Sequence, residues 1–178
     1  MRVQRLLRAT SASVLLTSID FQSHSKGYLL MTSDDDFLPK NEMQVPNANL
    51  LDRQRTELFV SGDNRANVQP GLLALHVIWH REHNLNCDEI LKQSPALDDE
   101  AVFQQARALT IAKWQAIVYE EFLPALVGPE GMKQIKPYSG YSKSVDITVA
   151  NEFATAAFRY GHSQVGEIFK RYNADGTG

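Results

Sequence analysis

The chain has 178 residues, of which 43% are hydrophobic, and its formal net charge is −3. That length suits one domain with an ordinary buried core. The charge balance gives no support to nucleic acid as a partner, because phosphate binding needs a concentrated excess of Lys and Arg. The single cysteine, Cys87, excludes a scaffold held by internal disulfides. No apolar run reaches the roughly 18 residues that a membrane-spanning helix needs.

The amino-terminal segment, residues 1–25, differs in composition from the rest of the chain and shows no sustained hydrophobic period. Three arginines precede a short apolar run at residues 12–19, and no acidic residue comes before Asp20. This pattern leaves three interpretations open: a weak export signal, a transit peptide, or sequence with no targeting role. We therefore separate residues 1–25 from a domain at residues 26–178.

Hydrophobic periodicity predicts three helices. The first begins at Pro70, because the missing N–H of proline has no partner in a first helical turn, and it runs to about Leu91. The second is predicted from Asp99 to Leu123, with Pro124 and Gly128 closing it. The third is predicted from Val149 to Tyr172, a segment rich in alanine and aromatic residues. No convincing strand is visible, so the fold class is mainly α.

The first predicted helix carries three histidines, His76, His80 and His83. Steps of four and three residues place the imidazoles on roughly one face, and neutral imidazole is a common ligand of zinc and iron. A metal-binding helix is therefore one interpretation. The other is that these histidines pack and form hydrogen bonds inside the core, and the missing Glu after the first His excludes a metalloprotease pattern.

The third predicted helix carries Arg159 and His162, which three-residue spacing places on the same side. A flat cofactor with a metal and peripheral carboxylates would suit this pair. His162 could bind the metal while the planar fork of Arg159 pairs with a carboxylate. Gly161 would let a large planar group approach the backbone. A buried histidine in a packed helix is the alternative.

Arg65 stands at the junction between a loop and the first predicted helix, in the sequence SGDNRAN. A positive charge fixed at such a place could stabilise negative charge that develops on a peroxide oxygen. The alternative is a surface arginine that pairs with Asp63.

Taken in order along the chain, these segments resemble the animal-type haem peroxidases, the family of myeloperoxidase and peroxidasin. The resemblance begins near Gly27 and runs to about Tyr172, which implies a partial, mainly helical haem peroxidase domain at residues 26–178. The matching segments, in register, are FVSGDNRAN (59–67), QPGL (69–72), LH (75–76), REHN (81–84), YEEFLP (119–124), Gly128 and ANEFATAAFRYGHS (150–163).

The resemblance implies a role for individual residues. His162 is similar to the proximal histidine, which binds the haem iron, and Arg159 is similar to the partner of a haem propionate. Arg65 is similar to the distal arginine that assists cleavage of the peroxide O–O bond. His76 and His83 then belong to a helix that carries the fold. The implied partners are haem, hydrogen peroxide and a small-molecule electron donor, and the family suggests an extracellular location.

The chain also departs from the family pattern. No segment matches the family's distal histidine or its calcium-binding loop, and His24 has the wrong neighbours for the first of these. The asparagine that bonds the proximal imidazole is also unmatched. Val68 stands where mammalian members carry the glutamate that esterifies the haem, while Gln69 keeps the next position. The resemblance therefore implies haem b without an ester link, and no calcium site in this chain.

Three hypotheses follow for the function. The first is a haem peroxidase-like oxidoreductase that uses hydrogen peroxide to oxidise a donor, with a role under oxidative stress. Without a distal base, these 178 residues are expected to show little or no turnover. The second is a non-catalytic helical remnant that binds haem weakly or serves as an interaction segment. The third, a haem-dependent fatty-acid dioxygenase, would need a radical-carrying tyrosine, for which Tyr160 is a poor candidate.

Overall fold

The computed structural model describes residues 26–29, 37–50, 52–168, 170 and 172–177. The prediction for residues 1–25 lies outside this described part of the chain. The chain divides into two compact units, Met1–Ile135 and Lys136–Gly178, and each is described by itself.

The described residues form a mainly helical structure, which confirms the predicted fold class. Their only bridge between extended segments pairs Lys40 with Phe59. None of the helices in the described ranges has the length and apolar character to cross a membrane. The elements in chain order are a 3-10 turn at Arg55–Glu57, α1 at Pro70–Gln93, α2 at Asp99–Ala116, a π-helix at Ile117–Phe122, α3 at Leu123–Met132, α4 at Asn151–Thr155 and a 3-10 helix at Ala157–Gln164.

Side-chain caps define where α1 and α2 begin. The Gln69 side-chain oxygen accepts a hydrogen bond from the backbone N–H of Leu72 at 2.7 Å. Asp98 does the same for the N–H of Ala101 at 2.8 Å. Each cap satisfies one of the N–H groups that a first helical turn leaves without a partner. The predicted starts of both helices are confirmed, and α1 extends two residues past the predicted end.

The main core of the first unit lies between α1 and α2. Cys87 and Ile90 of α1 pack against Val102 and Ala106 of α2, and all four are buried. Burying a side chain the size of Ile90 stabilises the fold by about 2 kcal/mol.

The predicted end of the second helix at Leu123 is wrong. After Ala116 the chain passes through the π-helix and continues as α3 to Met132. Pro124 lies in the first turn of α3, where a missing N–H is tolerated, so it does not stop the helix. Gly128 (φ 67°) introduces a kink and not an end. Glycine adopts that backbone conformation without the steric cost that other residues meet.

The predicted third helix, from Val149 to Tyr172, is also wrong. The second unit contains only the short α4 and the 3-10 helix Ala157–Gln164 among its described residues, and Ala156 (φ −124°, ψ −70°) separates them. Most side chains of both elements are exposed. Alanine content favours a helix, but a helix that buries no face within its own unit is only marginally stable.

Candidate functional site

The loop before α1, residues 59–67, is fixed by hydrogen bonds at both ends. The side-chain amide of Asn67 brackets the backbone of Phe59, accepting from its N–H and donating to its carbonyl, each at 2.8 Å. The N–H of Val60 donates to the carbonyl of Pro39 at 2.8 Å. Ala66, a residue of this loop, is fully buried. The backbone around Arg65 is therefore held in one conformation by the rest of the first unit.

Within this loop Arg65 forms an ion pair with Asp63, as the alternative interpretation of the sequence predicts. Its Nε donates to Oδ1 at 2.9 Å and one terminal nitrogen donates to Oδ2 at 2.6 Å. The hydrogen bond from Arg65 is the main cause that lowers the pKa of Asp63 below its usual value. The Arg65 side chain nevertheless stays 72% exposed. The structure thus presents a paired arginine whose charge still faces outward.

The three histidines of α1 are buried, but they do not converge on a common point. The Nδ1–H groups of His76 and His80 donate to carbonyls one turn earlier in the same helix, those of Leu72 and His76, both at 2.8 Å. Burial lowers the pKa of His80 to about 4, which keeps the ring neutral. Across the described residues, no group of three or more His, Cys, Asp or Glu side chains could hold a metal ion. These rings are parts of the core.

His83 uses its ring differently, and its partner lies far away in the sequence. Its Nε2–H donates to the carbonyl of Gly27 at 2.9 Å, and the Cys87 thiol approaches the same oxygen at 3.4 Å. The N–H of Gly27 donates to Asp99 at 2.6 Å. Burial raises the pKa of the Cys87 thiol to about 12, so this cysteine is a packed core residue and not a nucleophile.

A second polar connection joins α1 to α2. The Asn86 amide donates to the hydroxyl of Thr110 at 3.0 Å, and that hydroxyl donates to the carbonyl of Ala106 at 2.8 Å. Lys113 donates to the Asn86 oxygen at 2.7 Å and also pairs with Glu82. The sequence pattern did not indicate this network, because these residues look like ordinary polar positions on two amphipathic helices.

The second unit places Arg159 and His162 within one turn of the 3-10 helix. The Nδ1–H of His162 donates to the carbonyl of Arg159 at 2.9 Å, which leaves the lone pair on Nε2 for another partner. A side chain on Gly161 would meet no atom within 4 Å, so the surface beside the imidazole is open. The Arg159 Nε donates to the carbonyl of Ala154 at 3.4 Å, and the residue is exposed. The terminal nitrogens of an arginine can bind a carboxylate.

This donor set fits a haem group. A histidine whose Nδ1–H is held by a carbonyl is oriented for ligation through Nε2, and an arginine fork suits a propionate. The alternative of a buried histidine does not hold within the second unit, where His162 is exposed, as is Arg159. Arg65 belongs to the first unit, and its surroundings there are those of the loop at residues 59–67.

Comparisons with known proteins show which family this chain resembles. The family model for animal haem peroxidase matches residues 14–178. Peroxidase mlt-7 of Caenorhabditis elegans is 37% identical over 159 residues, and Peroxinectin A of Dictyostelium discoideum is 39% identical over 163 residues. These alignments cover 88% and 89% of this chain. The solved structure of Peroxidase A from Dictyostelium discoideum matches with a TM-score of 0.77 and 36% identity over 92% of this chain.

The chain spans only part of the proteins that it resembles. It covers 21% of the nematode peroxidase, 29% of Peroxinectin A and 33% of the solved Dictyostelium chain. The similarity therefore identifies a portion of a larger domain, and the match begins at residue 14, inside the segment that the composition sets apart.

Proposed function

The chain belongs to the animal haem peroxidase family, and from that premise we propose that it is a haem-binding, peroxidase-type oxidoreductase whose iron ligand is His162. The observation that carries the proposal is the hydrogen bonding and exposure of that imidazole. Its Nδ1–H is held by the carbonyl of Arg159 at 2.9 Å, and the residue is exposed. A carbonyl acceptor fixes the tautomer, raises the basicity of the ligating nitrogen and orients the ring.

Arg159 is proposed to pair with a propionate of the same haem. The residue is exposed and lies three positions before His162 on the 3-10 helix. Two terminal nitrogens can bind both oxygens of a carboxylate, which adds orientation as well as attraction. We propose haem b, held without an ester link, because the side chain of Val68 has no carboxyl group. No residue of this chain is proposed as a calcium ligand.

Arg65 is proposed to act on peroxide. When bound, haem supplies the redox-active iron at which the O–O bond of hydrogen peroxide is broken. The contribution of Arg65 is a fixed positive charge and N–H donors, which stabilise negative charge on the departing oxygen. The electrons are proposed to come from a small-molecule donor.

Proton transfer between the two peroxide oxygens needs a base, and no segment of the chain matches the family's distal histidine. General acid–base help is worth roughly two to four orders of magnitude in rate. We therefore propose that these 178 residues bind haem but turn over peroxide slowly.

A haemin titration of the purified chain tests the ligand assignment. We expect a shifted Soret band that saturates at one haem per chain and is lost in His162→Ala. Ser163→Ala is the matched control, because Ser163 is the next residue and its hydroxyl donates to the Tyr160 carbonyl at 2.7 Å. Equal binding by His162→Ala would reject the ligand. No Soret shift in the unaltered chain would favour the non-catalytic interaction segment instead.

A further inference from the structure

We propose that Asp63 is the positioning residue of Arg65, holding one edge of the guanidinium so that the opposite edge is presented to a peroxide or another small anionic ligand. The proposal deepens the function proposed for Arg65 and rests on it. The contact between Asp63 and Arg65 lies within the first unit.

The contact between the two residues uses both oxygens of the carboxylate. Oδ1 accepts from the backbone N–H of Arg65 at 2.8 Å and from its Nε at 2.9 Å, and Oδ2 accepts from one terminal nitrogen at 2.6 Å. Two parallel bonds to a planar guanidinium fix its plane as well as its position. The additional bond to the backbone N–H fixes the carboxylate relative to the main chain.

The same geometry leaves most of the guanidinium donors free. Arginine carries five N–H bonds, and the side-on contact with Asp63 uses two of them. Of the remaining three, one is on the terminal nitrogen that bonds Asp63 and two are on the other terminal nitrogen. The side chain of Arg65 is 72% exposed, whereas that of Asp63 is only 14% exposed. The carboxylate is therefore the anchored partner, and the outer edge of the arginine is the accessible one.

Asp63 is itself held by the loop. Its N–H donates to the Ser61 hydroxyl at 3.3 Å, and that hydroxyl donates to the Asp63 carbonyl at 3.0 Å. The N–H of Ala66 donates to the same carbonyl at 3.2 Å. These bonds fix the position of the carboxylate before any ligand arrives. The long, flexible side chain of Arg65 thus loses its rotamer freedom during folding. Less conformational entropy is then lost when a ligand binds.

Ordinary surface ion pairs in this chain look different. Lys92 pairs with Glu89, and Lys133 with Glu130, through a single contact between residues three apart on a helix. Neither carboxylate is as buried as Asp63. The pair at the loop has a second bond and a backbone bond that these lack. A pair that served only surface stability would not need a shielded anchor and an outward-facing donor edge.

Side-chain NMR of the ¹⁵N-labelled chain without haem tests the positioning step. In the unaltered chain we expect the Arg65 Nε–H to be shifted, slow to exchange and rigid. In Asp63→Asn and Asp63→Ala it becomes mobile and exchanges at least tenfold faster, and Asp63→Glu restores part of the protection. Glu89→Gln is the matched control and leaves the Arg65 signal unchanged. Circular dichroism confirms that α1 is intact in each variant. An unchanged Arg65 signal in folded Asp63→Asn overturns the proposal.

Fluoride binding to the haem-loaded ferric chain tests the consequence, since fluoride is a small anion that accepts hydrogen bonds. Removing one charge-assisted hydrogen bond is expected to weaken fluoride binding about tenfold. We expect that loss in Arg65→Lys and in Asp63→Asn, and no further loss when the two are combined. If Arg65→Lys binds fluoride normally, the proposed role of Arg65 fails, whatever the NMR shows. If Arg65→Lys loses affinity but Asp63→Asn does not, the positioning role alone fails.

Discussion

The Nε2–H of His83 donates a hydrogen bond to the carbonyl oxygen of Gly27, 56 residues earlier in the chain, at 2.9 Å. The neighbouring side chain of Asn84 brackets the backbone of Leu29 in the same region, accepting at 2.7 Å and donating at 3.0 Å. Two consecutive residues of α1 therefore hold the segment 26–29 against the helix. This clamp joins the beginning of the described chain to the core between α1 and α2.

Replacing Gly27 by alanine is expected to disrupt this clamp. Gly27 has φ +75°, and an added Cβ would lie 2.5 Å from the backbone nitrogen of Phe103. Because that neighbour is backbone, it cannot rotate away as a side chain could. We expect Gly27→Ala to lower the free energy of unfolding by about 3 kcal/mol or more, measured by urea denaturation followed by circular dichroism.

Gly128→Ala is the control for Gly27→Ala, because it introduces backbone strain without steric overlap. Gly128 also has a positive φ, +67°, but an added Cβ would meet no atom within 4 Å. This control is expected to cost only the backbone strain of its conformation (φ 67°, ψ 179°), about 1 to 3 kcal/mol. Equal losses of unfolding free energy in Gly27→Ala and Gly128→Ala would show that the close approach to Phe103 does not contribute to the destabilisation.

The histidines of α1 are expected to make the first unit sensitive to acid. Burial lowers the pKa of His80 to about 4, and it also lowers the pKa of His83. The unfolded chain therefore binds more protons than the folded one below about pH 6.5, so stability falls as the pH drops from there toward 4. For His80 alone the loss amounts to about 3 kcal/mol across that window.

Urea unfolding at a series of pH values, with His80→Phe beside the unaltered chain, measures this effect. The variant is expected to lose stability less steeply between pH 6.5 and 4, because its ring cannot take a proton. Val77→Ala, a buried and non-titrating neighbour on α1, is expected to lower stability equally at every pH. Parallel curves of stability against pH for His80→Phe and the unaltered chain would show that the His80 ring does not cause the acid sensitivity.

The network at Thr110 provides a test of buried polar contacts. Thr110→Val keeps the shape but removes the hydroxyl, which leaves the Asn86 amide without its acceptor. An unsatisfied buried donor costs about 1 to 3 kcal/mol. Thr155→Val is the control, because Thr155 also bonds a carbonyl one turn earlier, at 2.7 Å, but is exposed. Similar unfolding curves for both valine variants would contradict the importance of the Asn86 contact.

Peroxide turnover is expected to be weak even when haem is bound. With no residue matched to the distal histidine, the rate of dye oxidation by the haem-loaded chain is expected to lie roughly two to four orders of magnitude below that of an intact family member. Free haemin at the same concentration gives the background. Turnover close to that of the intact relative would mean that another group supplies the missing proton transfer.

The sequence predicted those parts of the fold that local signals control. Pro70, Asp98 and the repeating apolar positions are local features, and they placed the starts of α1 and α2 correctly. The end of the second helix was missed, because the tolerance for Pro124 depends on its place in the first turn of α3. The prediction of the third helix was wrong for a related reason. Its composition favours a helix, but the stability of a helix depends on burying one face.

The same distinction between local signals and long-range contacts applies to the candidate site. The resemblance of the motifs, in order and spacing, predicts Arg65, Arg159 and His162 as site residues, and their roles stay predictions. The contacts of His83 with Gly27 and of Asn84 with Leu29 could not be predicted, because they join residues more than fifty positions apart. The pairing of Asp63 with Arg65 was visible as an alternative, and only the structure shows its side-on geometry and its shielded carboxylate.

Resonance Raman spectroscopy of the reduced, haem-loaded chain tests the central assignment most directly, because it detects the bond between iron and an imidazole nitrogen. We expect this band in the unaltered chain, its loss in His162→Gly, and its return when free imidazole is added to that variant. A band that persists in His162→Gly without added imidazole would show that another residue holds the iron, and would contradict the account.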